Sequence, residues 1–348
     1  MRFFDVHCDT IQKILDKKGE FTAAGSLHVT LPAMLEVGVC AQVFASCVLR
    51  ERYEGREFEV ALDMVNSLRS LTQAHSEHLI FADSGKEISS ACTSGGRIAV
   101  IAGLEGAAPL MGEVEKIGSF SQAGVRILTL AWSDNPFCGS VFGSGSGLTE
   151  KGHDLVTLCE EMGIMIDMSH ASDRAFEDVR SIVKKPIIAS HSNCRSVCPN
   201  PRNLTDEMIR ALGDLGGVMG INMGSGFLSP EFFDQEKGAR DEFFRTVNSG
   251  EKSFDEALEM SRVALVKIPR PSMELVLTHV KRAIEVGGED CVGLGGDLDG
   301  VESMPIGLEG VGDYPQIAEL LQRGGLSSRQ VDKVCHENFA RVFNQVLG

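Results

Sequence analysis

Several features are missing from this 348-residue chain. It has no run of about 18 or more consecutive apolar residues, so the sequence predicts no membrane-spanning helix. Positive charge is scarce, because 33 Lys and Arg stand against 49 Asp and Glu, for a net charge of -16. Such a surface repels phosphate groups and anionic lipid, which disfavours nucleic-acid and membrane partners.

Export signals and domain linkers are also missing. The first residues contain no basic segment followed by an apolar and then a small-residue segment, so we expect a cytoplasmic protein. In such a protein the ten cysteines are expected to be reduced, and several of them to be core residues. No Pro- or Ser-rich linker interrupts the chain, and 43% of its residues are hydrophobic. We therefore expect residues 1–348 to form a single catalytic domain.

Short runs rich in Val, Ile and Leu recur along the chain and alternate with amphipathic helical patterns. Near-continuous apolar runs are typical of strands that are covered on both faces, as in a parallel sheet. Eight such strands that alternate with helices predict a (β/α)8 TIM-type barrel of the α/β class. The predicted strands are residues 3–9, 39–48, 97–106, 126–132, 163–170, 186–192, 216–223 and 291–300.

Two segments are longer than the helix that a barrel needs between strands. Residues 50–96 follow the second predicted strand, and residues 224–272 separate the seventh from the eighth. The later segment mixes charge, Phe and Pro, and alone it would form only a thin core. We therefore predict helical excursions at the barrel mouth rather than a separate domain.

Residues that can bind metals or transfer protons stand at the ends of the predicted strands. In the first strand, FFDVHCDTI, the alternation of side chains turns His7 and Asp9 to one side and Cys8 to the other. Barrel enzymes carry their chemistry at the C-terminal ends of the strands. The residues at these ends are His7, Asp9, Glu105, His170, His191, Asp297 and Asp299.

These strand-end residues have two interpretations. Each one alone could be structural, since a histidine can be bonded within a core and an acid can cap a helix. Buried imidazoles and carboxylates need partners, however, so a whole group of them at one mouth favours a shared ligand. Three imidazoles and two carboxylates form a good zinc ligand set, and they exceed the ligands of one tetrahedral zinc. If one carboxylate bridges, two metal ions are expected.

Several long motifs are specific enough to suggest a family. They are DVHCDT, GLEG, GLTEKG, IDMSH, SHSNCRSVCPNPRN and GLGGDLDG, and a C-terminal segment follows that begins GLEGVGDYPQ. In this order they resemble the motifs of the membrane (renal) dipeptidase family of zinc peptidases, over nearly the whole chain. The resemblance implies a (β/α)8 barrel, hydrolysis of dipeptides that include those with a C-terminal D-residue, and a homodimer.

The resemblance also implies a binuclear zinc centre. His7, Asp9 and Glu105 match the ligands of one zinc ion in the family. Glu105, His170 and His191 match the ligands of the second ion, so Glu105 is expected to bridge the two.

Three further residues take their expected roles from the same resemblance. Asp297 matches the residue that shuttles protons, and Arg202 matches the arginine that binds the substrate carboxylate. Trp132 is a departure, because mammalian members have a histidine there, close to the substrate carbonyl. We expect Trp132 to contact the substrate and to change the substrate preference.

Two other functions are compatible with the sequence. The chain could be a related metal-dependent amidohydrolase that acts on N-acyl amino acids or other small amides. It could also be a catalytically silent barrel that binds a ligand, although all five ligand positions of the family are filled.

Overall fold

A computed structural model describes the backbone of residues 1–348 and every side chain except that of Asn248. The described backbone contains nine strands, all joined by parallel pairings into one sheet. The strands are β1 (Phe3–Cys8), β2 (Val39–Cys47), β3 (Leu79–Phe81), β4 (Ile98–Glu105), β5 (Val125–Thr129), β6 (Met165–Asp167), β7 (Ile188–Ala189), β8 (Val218–Ile221) and β9 (Val292–Leu294).

Eight of these strands close into a barrel. The sheet order is β2-β1-β9-β8-β7-β6-β5-β4-β3, and a further pairing between β2 and β4 closes the ring. The short strand β3 pairs only with residues 98–100 of β4, whereas β5 pairs with residues 102–105 of β4. The strand β3 is therefore an addition beside the barrel, and the predicted (β/α)8 TIM-type fold is confirmed.

Helices surround the barrel and connect its strands. Four further turns are 3-10 helices at Ala108–Leu110, Val114–Lys116 and Val311–Asp313 and a π-helix at Lys333–Glu337. The α-helices are α1 (Thr10–Leu15), α2 (Leu31–Val37), α3 (Arg50–Tyr53), α4 (Glu57–Ala74), α5 (Gly85–Ser94), α6 (Ile117–Ala123), α7 (Glu150–Met162), α8 (Asp173–Ile182), α9 (Asp206–Asp214), α10 (Ser225–Leu228), α11 (Pro230–Ser249), α12 (Phe254–Leu265), α13 (Glu274–Gly287), α14 (Tyr314–Arg323), α15 (Ser328–Asp332) and α16 (Asn338–Leu347).

The two long insertions have the helical character predicted for them. Residues 50–96 form α3, α4 and α5, and they also contain β3, which the sequence did not predict. Residues 224–272 form α10, α11 and α12. Side chains of α11 and α12 line a cavity together with Trp132 and His170, so this insertion lies over the barrel mouth.

One end of the barrel is filled by apolar side chains. Phe4, Met165 and Val218 come from the first halves of their strands and form a buried cluster with Phe339 and Phe343 of α16. The ring centroids of Phe4 and Phe343 are 5.3 Å apart. Because this end is sealed by packing, the polar residues at the opposite strand ends form the open face of the barrel. No helix of the described chain has the length and apolarity needed to cross a membrane.

Candidate active site

The mouth of the barrel brings the sequence-predicted ligands together. His7 is in β1, Glu105 is the last residue of β4, and His170 and His191 closely follow β6 and β7. The possible donor atoms fall into three overlapping groups, and within each group they all lie within 4.8 Å of one another. The groups are His7 with Asp9 and Glu105, Glu105 with His170 and His191, and His7 with His191 and Asp297.

The buried carboxylate of Glu105 lies at the centre of these groups. Its Oε2 is 3.7 Å from Nε2 of His7, whereas its Oε1 is 3.0 Å from Nε2 of His170 and 3.5 Å from Nε2 of His191. Burial raises the pKa of the Glu105 carboxyl to about 8, with the charge of His7 acting in the opposite direction. By these distances, Oε2 of Glu105 faces one histidine and Oε1 faces two.

The imidazole of His7 has a nitrogen that lacks a partner in the described chain. Nε2 of His7 is buried and accepts or donates no hydrogen bond. Its distances to carboxylate oxygens of Asp9 and Asp297 are 3.8 and 3.9 Å, which are too long for hydrogen bonds. Burial opposes charge on His7, but the carboxylates of Glu105, Asp9 and Asp297 outweigh it and raise the pKa of His7 to about 10.

The imidazoles of His170 and His191 face each other. Their Nε2 atoms are 3.0 Å apart. Burial lowers the pKa of both residues well below the usual value, and the positive charges of Arg202 and His7 lower both further. Both rings are therefore neutral at neutral pH, which is the state in which imidazole binds a metal.

The hydrogen bonds behind His191 fix which of its nitrogens carries the proton. Ser190 Oγ lies 2.6 Å from Asp167 Oδ2 and 2.7 Å from Nδ1 of His191. The serine hydroxyl has one proton, which it donates to the carboxylate, so its oxygen accepts the proton of Nδ1. Nε2 of His191 is then left with a lone pair that faces Glu105.

The spacing of the donor atoms fits bound metal ions. Two ligand atoms about 2.0–2.2 Å from one zinc in a tetrahedral site are about 3.3–3.6 Å apart. The separations of 3.0 Å between His170 and His191 and 3.7 Å between His7 and Glu105 are close to this range. The buried Nε2 of His7, which has no hydrogen-bond partner, otherwise costs about 1–3 kcal/mol as an unsatisfied group.

Two buried aspartates that the sequence analysis missed support this arrangement. Asp167 accepts hydrogen bonds from Thr129 Oγ1 and from the backbone N–H groups of Ser169 and Ser190. Asp5 accepts from the N–H groups of His7 and Gly296 and from the hydroxyl of Tyr314. The available signal was an acid inside an apolar strand pattern, since such a residue is buried and needs several donors.

Asp297 lies at the same mouth, in a left-handed backbone conformation with a φ of 56°. Its Oδ2 accepts a hydrogen bond of 2.8 Å from Nδ2 of Asn222, a residue that the sequence analysis also missed. Burial raises the pKa of the Asp297 carboxyl, although the positive charge of His7 acts in the opposite direction. A Cβ at Gly300 would collide with carboxylate oxygens of Asp9 and Asp297, so any larger residue there would displace these two side chains.

Asp299 does not join this cluster, and its inclusion among the converging groups was wrong. Its carboxylate accepts hydrogen bonds from Thr10 Oγ1 at 2.6 Å and from the backbone N–H of His28 at 2.9 Å. Only Leu298 separates Asp297 from Asp299, and both aspartates have a positive φ. The turn therefore directs the two carboxylates to different neighbours. Asp299 joins the start of α1 to the segment that contains His28.

The guanidinium of Arg202 is buried beside the cluster. Its Nη1 donates to Ser192 Oγ at 2.8 Å, but Nε and Nη2 have no partner among the described residues. Burial lowers the pKa of Arg202 to about 10, against the charges of Asp297, Asp167 and Glu105, so the group stays charged at neutral pH. Arg202 thus presents two free donors, and it lines a cavity of about 500 Å³.

Trp132 lines the same cavity, next to a histidine of the cluster. Its ring centroid is 6.1 Å from that of His170. Both sequence-predicted substrate-binding residues, Trp132 and Arg202, are therefore in the cavity that opens onto the cluster.

The fold and the site together define a class of protein. A closed parallel eight-stranded barrel carries three histidines and several carboxylates at its open mouth, which is the arrangement of a metal-dependent hydrolase barrel. The family model of membrane dipeptidase, peptidase family M19, matches residues 1–347. The chain belongs to this family, and it is an enzyme of the metallo-dipeptidase class.

Curated relatives match most of the chain, and two of the following three are named dipeptidases. An uncharacterized protein in the pqqA 5′ region of Klebsiella pneumoniae is 34% identical over 72% of this chain and 82% of its own length. An uncharacterized dipeptidase of Schizosaccharomyces pombe is 26% identical over 91% of this chain and 72% of its own length. Dipeptidase 3 of Rattus norvegicus is 28% identical over 88% of this chain, and the matched region covers 56% of that relative.

Solved structures resemble the chain over its whole length. The crystal structure of dipeptidase AC, a metallopeptidase of family M19, has a TM-score of 0.84 and 27% identity, and the match covers 100% of this chain and 99% of that one. A metallopeptidase of Rhodobacter sphaeroides, crystallised with a phosphinate mimic of the dipeptide L-Ala-D-Ala, has a TM-score of 0.82 and 25% identity, with 99% of each chain covered.

Proposed function

We propose that this chain hydrolyses the peptide bond of dipeptides at a centre of two zinc ions that Glu105 bridges. His7, Asp9 and Glu105 would hold one ion, and Glu105, His170 and His191 would hold the other. The observation that carries the proposal is the placement of Glu105, with one oxygen toward His7 and the other toward His170 and His191. Ions bound there would lower the pKa of the attacking water and polarise the scissile carbonyl.

The whole chain acts as one catalytic domain in this proposal. The ligands come from β1, β4 and the segments after β6 and β7, which lie from residue 7 to residue 191. Asp297 follows the last barrel strand. No shorter part of the barrel contains every group that the reaction needs.

Asp297 is the proton carrier of the proposed reaction. Asn222 holds its Oδ2, whereas its Oδ1 faces the cluster at 3.9 Å from His7 Nε2. A carboxylate held in this way can accept a proton from the attacking water and return it to the leaving amine. Burial raises the pKa of Asp297, which makes it a stronger base than an exposed aspartate and a more suitable proton carrier near neutral pH.

Arg202 binds the C-terminal carboxylate of the dipeptide. Its Nε and Nη2 are buried without partners, and the edge that these two atoms form matches the two oxygens of a carboxylate. A peptide that continues past this residue has an amide in place of the carboxylate, so Arg202 excludes substrates with a C-terminal extension. The Rhodobacter sphaeroides relative is bound to a mimic of L-Ala-D-Ala, and we extend the proposal to dipeptides with a C-terminal D-residue.

The proposal is tested by hydrolysis assays on the zinc-loaded protein. The substrates are L,L and L,D dipeptides, matched tripeptides, and N-acetyl amino acids as the alternative amides. We expect hydrolysis of dipeptides and little hydrolysis of the others. Hydrolysis of N-acetyl amino acids alone would show a related amidohydrolase instead, and inactivity toward all three groups would contradict the proposal.

A further inference from the structure

A continuous series of aromatic rings leads from the metal-ligand cluster into the cavity. The ring of Trp132 is 6.1 Å from His170 and 6.3 Å from Phe254 of α12. Phe254 is 5.5 Å from Phe243 of α11, which is 5.3 Å from Phe244. All these distances lie in the range of interacting aromatic rings.

Aliphatic side chains complete this surface. Val247 of α11 and Leu258 and Leu265 of α12 line the same cavity as Trp132 and the phenylalanines. The cavity of about 500 Å³ therefore has an apolar wall that starts beside His170 and continues under the two helices of the insertion. Its volume is within the range of small-molecule sites, which is about 300–1,000 Å³.

Two charged residues that line the cavity beside the phenylalanines, Glu236 and Arg240, pair with each other. Oε1 of Glu236 accepts a hydrogen bond of 3.0 Å from Nη1 of Arg240. The guanidinium of Arg240 also lies 4.5 Å from the ring centroid of Phe233 and 5.9 Å from that of Phe142. Since this ion pair is internal, it leaves an apolar surface rather than a free charge for the ligand.

Arg202 sets the position of a substrate relative to this wall. If Arg202 holds the substrate carboxylate and the scissile bond lies at the cluster, the C-terminal side chain lies between these two points and the N-terminal side chain lies on the far side of the scissile bond. Trp132, Phe254 and Leu258 line the same cavity as Arg202 and His170, so they are within the cavity that would receive these side chains. A small side chain would leave these apolar surfaces in contact with water, whereas a large apolar one would cover them.

We propose that Trp132, Phe254 and Leu258 form a specificity subsite that selects dipeptides with one large apolar side chain, such as Phe, Leu or Met. The inference rests on the proposed dipeptide hydrolysis and adds the substrate class. Each methylene buried in such a pocket changes kcat/KM by about ten-fold or more. We therefore expect Ala-Phe, Phe-Ala or both to exceed Ala-Ala in kcat/KM by about ten-fold or more.

Two measurements test the subsite independently. The first is kcat/KM of the zinc-loaded protein for Ala-Ala, Ala-Phe, Phe-Ala, Ala-Leu and Leu-Ala. The second is the fluorescence of Trp132, the single tryptophan of the chain, during titration of chelator-treated protein, in which no turnover consumes the dipeptide. We expect the dipeptides that contain Phe or Leu to change the emission at lower concentrations than Ala-Ala.

The outcomes separate the subsite from the proposed function. Equal kcat/KM values for all five dipeptides would overturn the subsite and leave the function intact. Emission changes that follow the expected order without any hydrolysis would support the subsite and overturn the function. If the protein shows no hydrolysis and no ordered change in emission, both the subsite and the proposed function are overturned.

Substitutions test whether the side chains of the proposed subsite cause the substrate preference. Phe254→Ala should lower the ratio of kcat/KM for the preferred Phe-containing dipeptide over Ala-Ala by about ten-fold. Leu258→Trp fills the cavity without removing packing and should lower the same ratio, so it decides the question if Phe254→Ala does not fold. Val263→Ala is the matched control, because Val263 is on α12 but is 48% exposed and outside the cavity. An unchanged ratio in both test variants would contradict the subsite.

Discussion

The hydroxyl of Ser190 lies 2.7 Å from Nδ1 of His191. Because Ser190 also donates to the buried Asp167, this contact places the histidine proton on Nδ1 and the lone pair on Nε2. Ser190, the residue before His191 in the chain, thus determines the tautomer of this proposed metal ligand. Groups that orient metal-binding histidines in this way typically change metal affinity by about 10- to 100-fold.

Replacement of Ser190 by Ala should therefore weaken metal binding. We expect the zinc affinity of Ser190→Ala to fall by about 10- to 100-fold while the fold is retained. Competition titration with a chromophoric chelator measures the affinity, and circular dichroism monitors the fold. Ser181→Ala, at an exposed position of α8, is the matched control. An affinity equal to that of the control would remove the orienting role of Ser190.

The substitution Asp297→Asn should separate turnover from metal binding. The amide cannot carry a proton, so we expect kcat to fall by about 100-fold or more while the metal content stays the same. Asp299→Asn is the matched comparison in the same turn. Asp299 bonds to Thr10 and His28, so this variant should mainly lose stability, by about 1–3 kcal/mol. Full activity of Asp297→Asn would exclude its role as a proton carrier.

The substitution Arg202→Met should act mainly on KM. The loss of two charge-assisted hydrogen bonds to the substrate carboxylate should raise KM by about ten-fold or more. Arg202→Lys should recover only part of this effect, because an ammonium group lacks the planar pair of donors. Arg210→Met, at an exposed site on α9, controls for the loss of charge. An unchanged KM in Arg202→Met would place the substrate carboxylate elsewhere.

The buried His279 should make stability depend on pH. Its Nε2 lies 3.0 Å from the carbonyl oxygen of Leu228 and its Nδ1 accepts from the N–H of Cys194, and burial lowers its pKa to about 4. The folded protein therefore binds fewer protons than the unfolded chain, so stability is present above about pH 6.5 and is lost as the pH falls toward 4.

The variant His279→Gln isolates this contribution. We expect wild type to lose about 2 kcal/mol more unfolding free energy than the variant between pH 7 and pH 5. Urea unfolding of each protein at the two pH values gives the change in unfolding free energy. The contributions of other groups cancel when the change in the variant is subtracted from that in wild type. The same pH dependence in wild type and variant would show that His279 does not contribute.

The barrel could be predicted because its eight strands lie within apolar runs that alternate with helical patterns. The predicted ends were less accurate, since β7 contains only Ile188–Ala189 within the predicted 186–192. The strand β3 was missed because Leu79–Phe81 is too short to show a periodic pattern, and it depends on its pairing with β4. Tertiary contacts, not local sequence, decide such short elements.

The ligand cluster was accessible from the sequence for a different reason. Strand-end positions in a parallel barrel all meet at one face, so His7, Glu105 and His191 could be placed together without coordinates. Asp299 shows where this reasoning stops, because the positive φ at Asp297 and Asp299 reverses the expected directions of neighbouring side chains. Asn222 also follows a barrel strand and contacts Asp297, but it was missed because an amide is neither a proton carrier nor a usual zinc ligand.

The metal content of wild type and Glu105→Gln tests the bridged centre most directly. An amide at residue 105 cannot present two anionic oxygens, so both ion positions should lose affinity together. Elemental analysis after dialysis should find two zinc ions per chain in wild type and in the exposed control Glu113→Gln, and fewer than one in Glu105→Gln. Two ions retained in Glu105→Gln, or a single ion in wild type, would contradict the bridged binuclear centre.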